Sequence, residues 1–299
     1  MKVYLHGDDL ASTECITRAM LNRWAAGCLD SFSVMANGEA AQATRTALEA
    51  SPGRPARVVA HLNLSEGPSS ASPDDVTLLV DDEGKLRHGF GSLALLWMKS
   101  SAVRREILLG QVEREWRAQI RVVIDMVAPR PVVGVDGHVH LHMLPFLFPV
   151  AARLAREFGI PEIRVSREPF YLERGWRDLF ALPMLTNLVK HLVLRWCSRS
   201  AGKVVEQASL RAPDYVVGIM YTGFMTASTA MAGVSAAERR GAESVEVLFH
   251  VGRASEQERA RWGTRQEFAA FPCDARRDKE FSEVAVCHER LRERGLRGT

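Results

Sequence analysis

Short runs of apolar, β-branched residues alternate along the chain with longer stretches whose apolar residues recur every three or four positions. Seven such runs, at 3–6, 32–36, 58–64, 132–138, 162–165, 215–220 and 245–251, read as strands. The segments at 14–26, 39–49, 103–127, 146–158, 183–196 and 226–240 read as helices. Strand and helix in alternation predict a parallel sheet, because parallel strands need a crossover long enough to hold a helix. No Gly/Ser/Pro linker divides the chain and no internal repeat is visible. The pattern therefore favours one α/β domain over residues 1–299, a closed or nearly closed barrel, ahead of an open doubly wound sheet. Two stretches exceed what a minimal barrel needs, 68–101 and 169–211, and are expected to be βα insertions that cover or shape a site.

Composition narrows the picture without changing it. The 299 residues carry a formal charge of +3 and are 46% hydrophobic, with no apolar run approaching the roughly 20 residues of a membrane span. Five widely spaced cysteines without a CxxC pair suggest reduced thiols rather than a disulfide framework or zinc ribbon. The opening MKVYLHGDDL enters a strand at once and lacks the h-region of a signal peptide, so a cytoplasmic location is expected. No nucleic-acid motif accompanies the mild basic excess, and none is inferred. A basic C-terminal helix is expected over about 279–299, and its tail, ERLRERGLRG, reads as a solvated helix end.

Chemistry enters through the positions of the polar residues, which fall at the carboxyl ends of the expected strands, where β/α barrels place their sites. Asp8 and Asp9 end the first strand; His61 and Asn63 end the third; Asp136, His138, His140 and His142 end the fourth; Arg164 and Arg167 end the fifth; His250 ends the last. In VVGVDGHVHLHMLP, alternate residues of a continued strand would put Asp136, His138, His140 and His142 on one face. The glycines and Pro145 argue against a helix there. Three imidazoles and a carboxylate are costly to bury together unless they hold something, and a transition-metal ion is the simplest occupant. Adjacent carboxylates such as Asp8 and Asp9 repel unless one binds a cation while the other serves as a base. Joined to His61 and His138, the pair supplies an Asp/His/His ligand set with positions left for water and substrate.

Taken in order, GDDLAS, HLNLSEG, DGHVHLHMLP, EIRVSREP and VEVLFHVG resemble the successive motifs of the YdjC-like carbohydrate deacetylase family, which includes chitooligosaccharide deacetylases and hopanoid-biosynthesis-associated members. The resemblance runs over about residues 2–255 and implies a distorted, TIM-like seven-stranded barrel, one divalent metal ion (magnesium or zinc), and hydrolysis of an N-acetyl group on an amino sugar. It makes Asp9, His61 and His138 the metal ligands, Asp8 the catalytic base and His250 the general acid. Arg164 is expected to contact substrate or Asp8, and Asn63 and His140 are expected to bind substrate. The chain departs from the family pattern in having Leu10-Ala11 for Phe-Gly, Gly137 for Ser and Val251 for Pro. His6 stands where Asn is usual, able to add a ligand or to alter the base.

The amino sugar's carrier is left open. The segment 185–199 mixes Leu188, Val189, Leu192, Val193 and Trp196 with Lys190, Arg195 and Arg199, compatible with a peripheral membrane contact, a lipid-linked substrate or a barrel-covering helix. Phe170, Tyr171, Trp97 and Trp176 are candidates for a sugar-stacking wall or for local core. A homo-oligomer is compatible with the sequence. Two other functions remain: a metal-dependent phosphoesterase, which should show more carboxylates for a second metal, and a noncatalytic sugar- or lipid-binding descendant.

Overall fold

Seven parallel strands, β1 (Lys2–Leu10), β2 (Ser31–Val34), β3 (Arg57–Leu62), β4 (Val132–Gly137), β5 (Glu162–Ile163), β6 (Tyr215–Val217) and β7 (Ser244–Phe249), form one curled sheet in the order β5-β4-β3-β2-β1-β7-β6. The computed structural model describes residues 1–54, 56–173, 175, 182–263 and 265–296. The two edge strands do not share a ladder. Main-chain bonds from their flanks draw them together instead: Arg211 N donates to Pro161 O at 2.9 Å, and Val216 N to Arg167 O at 2.8 Å. The result is the single TIM-like half-barrel expected from the alternation.

The helices are α1 (Glu14–Ala25), α2 (Ala41–Glu49), α3 (Phe90–Lys99), α4 (Ala102–Val127), α5 (Phe148–Glu157), α6 (Leu182–Gln207), α7 (Ala227–Glu238), the short α8 (Gln266–Ala269) and α9 (Arg276–Glu293). Their starts follow local chemistry: Thr13 caps α1 by accepting from Ile16 N, and Thr226 with Thr229 forms a reciprocal capping box on α7. Helix α4 buries Leu108, Val112, Trp116, Ile120, Val123 and Val127, a stripe at helical spacing. Truncating the fully buried Trp116 to alanine would cost about 3–5 kcal/mol.

One sequence expectation is corrected, and two others are placed. The fourth strand stops at Gly137, and His138–Met143 form a 3-10 helix in which Val139 and His140 take φ of 46° and 58°. His138, His140 and His142 therefore do not share a strand face. The basic tail keeps Arg290, Arg292, Glu293 and Arg294 exposed, as a solvated helix end should, while the part of α9 before it buries Arg277, Glu280, Val284 and Cys287. Of the aromatic wall, Trp97 stacks on Phe146 at 4.2 Å and Tyr171 on Tyr221 at 5.3 Å, which makes both local core, while Trp176 lies outside the described residues. The 68–101 stretch supplies α3, and the 169–211 stretch supplies α6.

Candidate metal and acid-base site

The site begins with an irregularity in β1. Its register against β2 jumps from Gly7↔Phe32 to Leu10↔Val34, so three steps on β1 match two on β2. Asp9 sits in the bulge at φ 73°, a left-handed conformation that Asp tolerates better than most side chains. An ideal strand would send Asp8 and Asp9 to opposite faces; here both meet groups carried by β3 and β4 or their ends. Ala11 follows at φ 74°, a left-handed conformation that glycine adopts more readily than alanine.

Asp9 faces two imidazoles. Its Oδ1 lies 3.0 Å from His138 Nδ1 and 3.4 Å from His61 Nε2, and the ligand atoms of the three residues lie within 4.8 Å of one another. The His61 and His138 rings meet edge to face at 5.5 Å. His61 Nδ1 donates to Asp136 Oδ1 at 2.7 Å, which turns Nε2 towards Asp9, the second-sphere arrangement expected of a metal-binding imidazole. Burial alone would lower the His61 pKa, yet Asp136, Asp8 and Asp9 together lift it to about 10. The carboxylates around the ring, Asp136 at Nδ1 foremost, thus favour positive charge there. Burial raises the Asp9 pKa, but His138, His61 and Arg277 outweigh it and hold the carboxyl well below the usual range.

A second acidic cluster adjoins the first. His6, Asp8 and Asp136 also bring ligand atoms within 4.8 Å of one another, but a guanidinium already occupies their midst. Arg164 donates from Nη2 to Asp8 Oδ1 at 2.9 Å and from Nη1 to Asp8 Oδ2 at 3.1 Å, and pairs with Asp136 Oδ2 and Glu246 Oε1, both at 2.6 Å. His6 uses both ring nitrogens on Ser31 and Ser33 hydroxyls, at 2.6 and 2.8 Å, and its Nε2 lies 3.1 Å from Asp8 Oδ1. Desolvation raises the Asp8 pKa, but Arg164 first, then His61 and His6, outweigh it and keep the carboxyl well below the usual range. The same balance of burial against Arg164 and His61 leaves Asp136 at about 2. His6 is therefore placed beside Asp8, not among the ligand atoms of the Asp9 group.

His250 follows β7. Its backbone N–H donates to Glu280 Oε2 at 2.7 Å, and its ring meets Phe271 edge to face at 4.8 Å. Burial, reinforced by Arg277, drives its pKa down to about 3, with Asp9 and Asp8 pulling the other way, so the imidazole is neutral. Burial likewise lifts Glu280 to about 7.

The remaining candidates look inward. Asn63 is fully buried; its Nδ2 donates to Glu66 O at 2.7 Å and Asn37 Oδ1 at 3.2 Å, and its Oδ1 accepts from Ser65 N at 2.8 Å. It shapes its own loop. His140 lies against Ser166 Oγ at 2.9 Å, and burial, with Lys190 and Arg164, holds it well below its usual pKa. His142 Nε2 donates to Arg164 O at 2.9 Å, and burial leaves it at about 4, hence neutral. A Cβ on residue 137 would stand 2.7 Å from His142 Nδ1, so the close approach of this ring favours glycine there.

Two contributors carried no strand-end signal. Arg277, wholly buried on α9, reaches Asp9 Oδ2 from Nη1 at 3.4 Å and donates from Nε to Gly252 O at 2.6 Å. Lys190 on α6 donates to Thr222 Oγ1 at 2.6 Å; desolvation lowers it to about 8, with Glu168, Glu280 and Asp8 opposing. The buried face of α9 at Arg277 and Glu280, with its i, i+3 charges, was the available clue to the first.

Fold and site together define a parallel β/α barrel protein with an Asp/His/His donor cluster at the carboxyl ends of its strands. A family model described as YdjC-like protein matches residues 2–294, and the chain belongs to that family. A carbohydrate deacetylase of Oceanobacillus iheyensis is 30% identical over 60% of this chain and 71% of its own length. A Danio rerio carbohydrate deacetylase is 27% identical over 75% of this chain and 66% of its own, and the chitooligosaccharide deacetylase of Serratia marcescens 26% over 55% and 59%. The matched part thus spans about three fifths to seven tenths of these relatives. A solved structure from Enterococcus faecalis V583, whose assignment as a cellobiose-phosphate cleavage protein is provisional, has the same fold with a TM-score of 0.70 and 19% identity, covering 100% of this chain and 96% of its own.

Proposed function

We propose that the chain is a metal-dependent hydrolase that removes the N-acetyl group from an amino sugar. The observation that carries this reading is a donor cluster of one carboxylate and two imidazoles beside a second, separately held carboxylate. Asp9, His61 and His138 would hold the ion; two nitrogens and one oxygen suit zinc better than magnesium, which prefers oxygen throughout. When bound, a divalent ion supplies Lewis-acid polarisation and a more acidic water. The relatives' names support an acetylated carbohydrate as substrate.

The protein's own groups divide the proton transfers. Asp8 is ionised at neutral pH and fixed in orientation by the two-pronged contact of Arg164, so it can accept a proton from the attacking water. Arg164 acts through Asp8 and Asp136, its Nη atoms being engaged there. As that water's oxygen bonds to the acyl carbon and the C–N bond breaks, the departing nitrogen needs a proton. His250 is the donor in this reading, and because it rests neutral it must first receive a proton in the same turnover. The phosphoesterase alternative is disfavoured by Arg164, which fills the place a second ion would take.

The test is acetate release from N-acetylglucosamine oligosaccharides, glycolipids and nucleotide sugars, with and without chelator, alongside Asp8→Asn. Release that needs both metal and Asp8 is expected, with a loss of about 10²–10⁴-fold in the variant. Stoichiometric metal binding with no acetate from any substrate would refute the N-acetyl assignment, and absence of metal binding would favour a noncatalytic binding protein.

A further inference from the structure

Among the described residues, thirteen large hydrophobic side chains are exposed, and eleven of them cluster on α3, the start of α4, the turn after β4 and α6 with its approach. Met98 is 66% exposed, Val103 67%, Val139 47%, Val189 61%, Leu192 55% and Trp196 60%. Val139 lies between His138 and His140, and both α3 and α6 pack against its turn, so the apolar surface borders the candidate site. On α6 the exposed positions follow helical spacing and lie opposite Met184, His191, Leu194, Cys197 and Ala201, which are buried. A helix apolar on two faces has one face for the core and another that needs a partner.

Charge selects the partner. Helix α6 carries Lys190, Arg195, Arg199 and Lys203 against Glu206 alone, and residues 90–107 carry Lys99, Arg104 and Arg105 against Glu106. Lys99, Arg104, Arg195, Arg199 and Lys203 are exposed around the apolar positions. A second copy meeting this face through a two-fold axis would set the basic residues against themselves. An anionic bilayer presents the opposite charge, takes up a shallow apolar face and accommodates an interfacial tryptophan. No helix among the described residues is long and apolar enough to cross a membrane, so the contact would be peripheral.

We infer that α3, the turn after β4 and α6 form a docking face for an anionic lipid surface, turning the rim of the site towards the bilayer. The inference holds whatever bond the site hydrolyses. Its test is co-sedimentation of the full chain with vesicles of phosphatidylcholine alone and of phosphatidylcholine with phosphatidylglycerol. Binding to the anionic vesicles, weakened by salt and much weaker on the neutral ones, is the expected result. The pair Leu192→Gln with Trp196→Gln, both at exposed positions, should lower partitioning by about tenfold or more while circular dichroism and melting temperature stay unchanged. Arg195→Glu with Arg199→Glu should remove the preference for anionic lipid. The inference is overturned if the native chain stays in the supernatant with both vesicles, or if the Gln pair binds as well as the native chain. A dimer in solution that the Gln pair dissociates would also overturn it, because a second copy would then cover the face.

Discussion

The two acidic clusters at the strand ends are made of the same residue types yet are suited to different tasks. Asp9, His61 and His138 turn three ligand atoms towards one another, with Asp136 orienting His61 from behind. His6, Asp8 and Asp136 are just as close together, but Arg164 and two serines take up their lone pairs. What would separate a metal site from a proton-transfer network, in the proposed reading, is therefore not the carboxylate or imidazole content. It is whether a resident cation already balances the charge. Arg164 does so for one cluster with contacts at 2.6 and 2.9 Å, whereas Asp9 of the other meets a guanidinium only at 3.4 Å, from Arg277.

The sharpest way to break this contrast is to remove a ligand from the open cluster. His138→Ala should weaken zinc binding by about a thousandfold or more, by analogy with the strong contribution of each structural ligand, and turnover should fall with it. His250→Ala should lower turnover comparably while leaving zinc affinity unchanged. Isothermal titration with zinc, run on both variants, separates them; equal losses of affinity would refute the division of roles.

The filled cluster should answer differently to the loss of its cation. Arg164→Met leaves Asp8 and Asp136 buried around an apolar side chain, and removing one partner of such a buried network costs about 3–5 kcal/mol. Without the guanidinium, burial raises the folded-state pKa of Asp8 and Asp136. Stability gained by protonating them is present at low pH and lost as pH rises, so the deficit against the native chain should be larger at pH 8 than at pH 5. Urea unfolding at the two pH values measures this. A deficit independent of pH would mean that Arg164 serves packing alone.

How much of this contrast was legible beforehand follows from what sequence patterns encode. The alternation of strand and helix located the seven strands, and strand-end polarity placed Asp8, Asp9, His61, His138 and His250 in one region. The orientation of those side chains was not legible. Asp8 and Asp9 cooperate because of a bulge, and His140 and His142 turn away from the expected face because two residues after β4 adopt positive φ. Neither event has a periodicity to read. Asn63 looked like a site residue for its position after β3, but a short polar side chain there serves its own loop equally well. Arg277 was hidden for a different reason: it reaches the site from the last helix, some 268 positions from Asp9 and far from any strand end.

That residue offers the smallest and most discriminating test. Arg277 touches Asp9 only through Oδ2, at 3.4 Å, and leaves Oδ1 to the two imidazoles. It therefore holds one end of the ligand without supplying enough charge to replace an ion, in contrast to Arg164, which engages both oxygens of Asp8. Loss of a group that orients a metal ligand typically costs about 10–100-fold in metal affinity. Arg277→Met should fall in that range, well short of His138→Ala. It should also raise the His250 pKa by removing a neighbouring positive charge, which nuclear magnetic resonance titration of the imidazole would show. If zinc affinity instead rises in the variant, the guanidinium competes with the ion for Asp9, and the open cluster is partly filled after all.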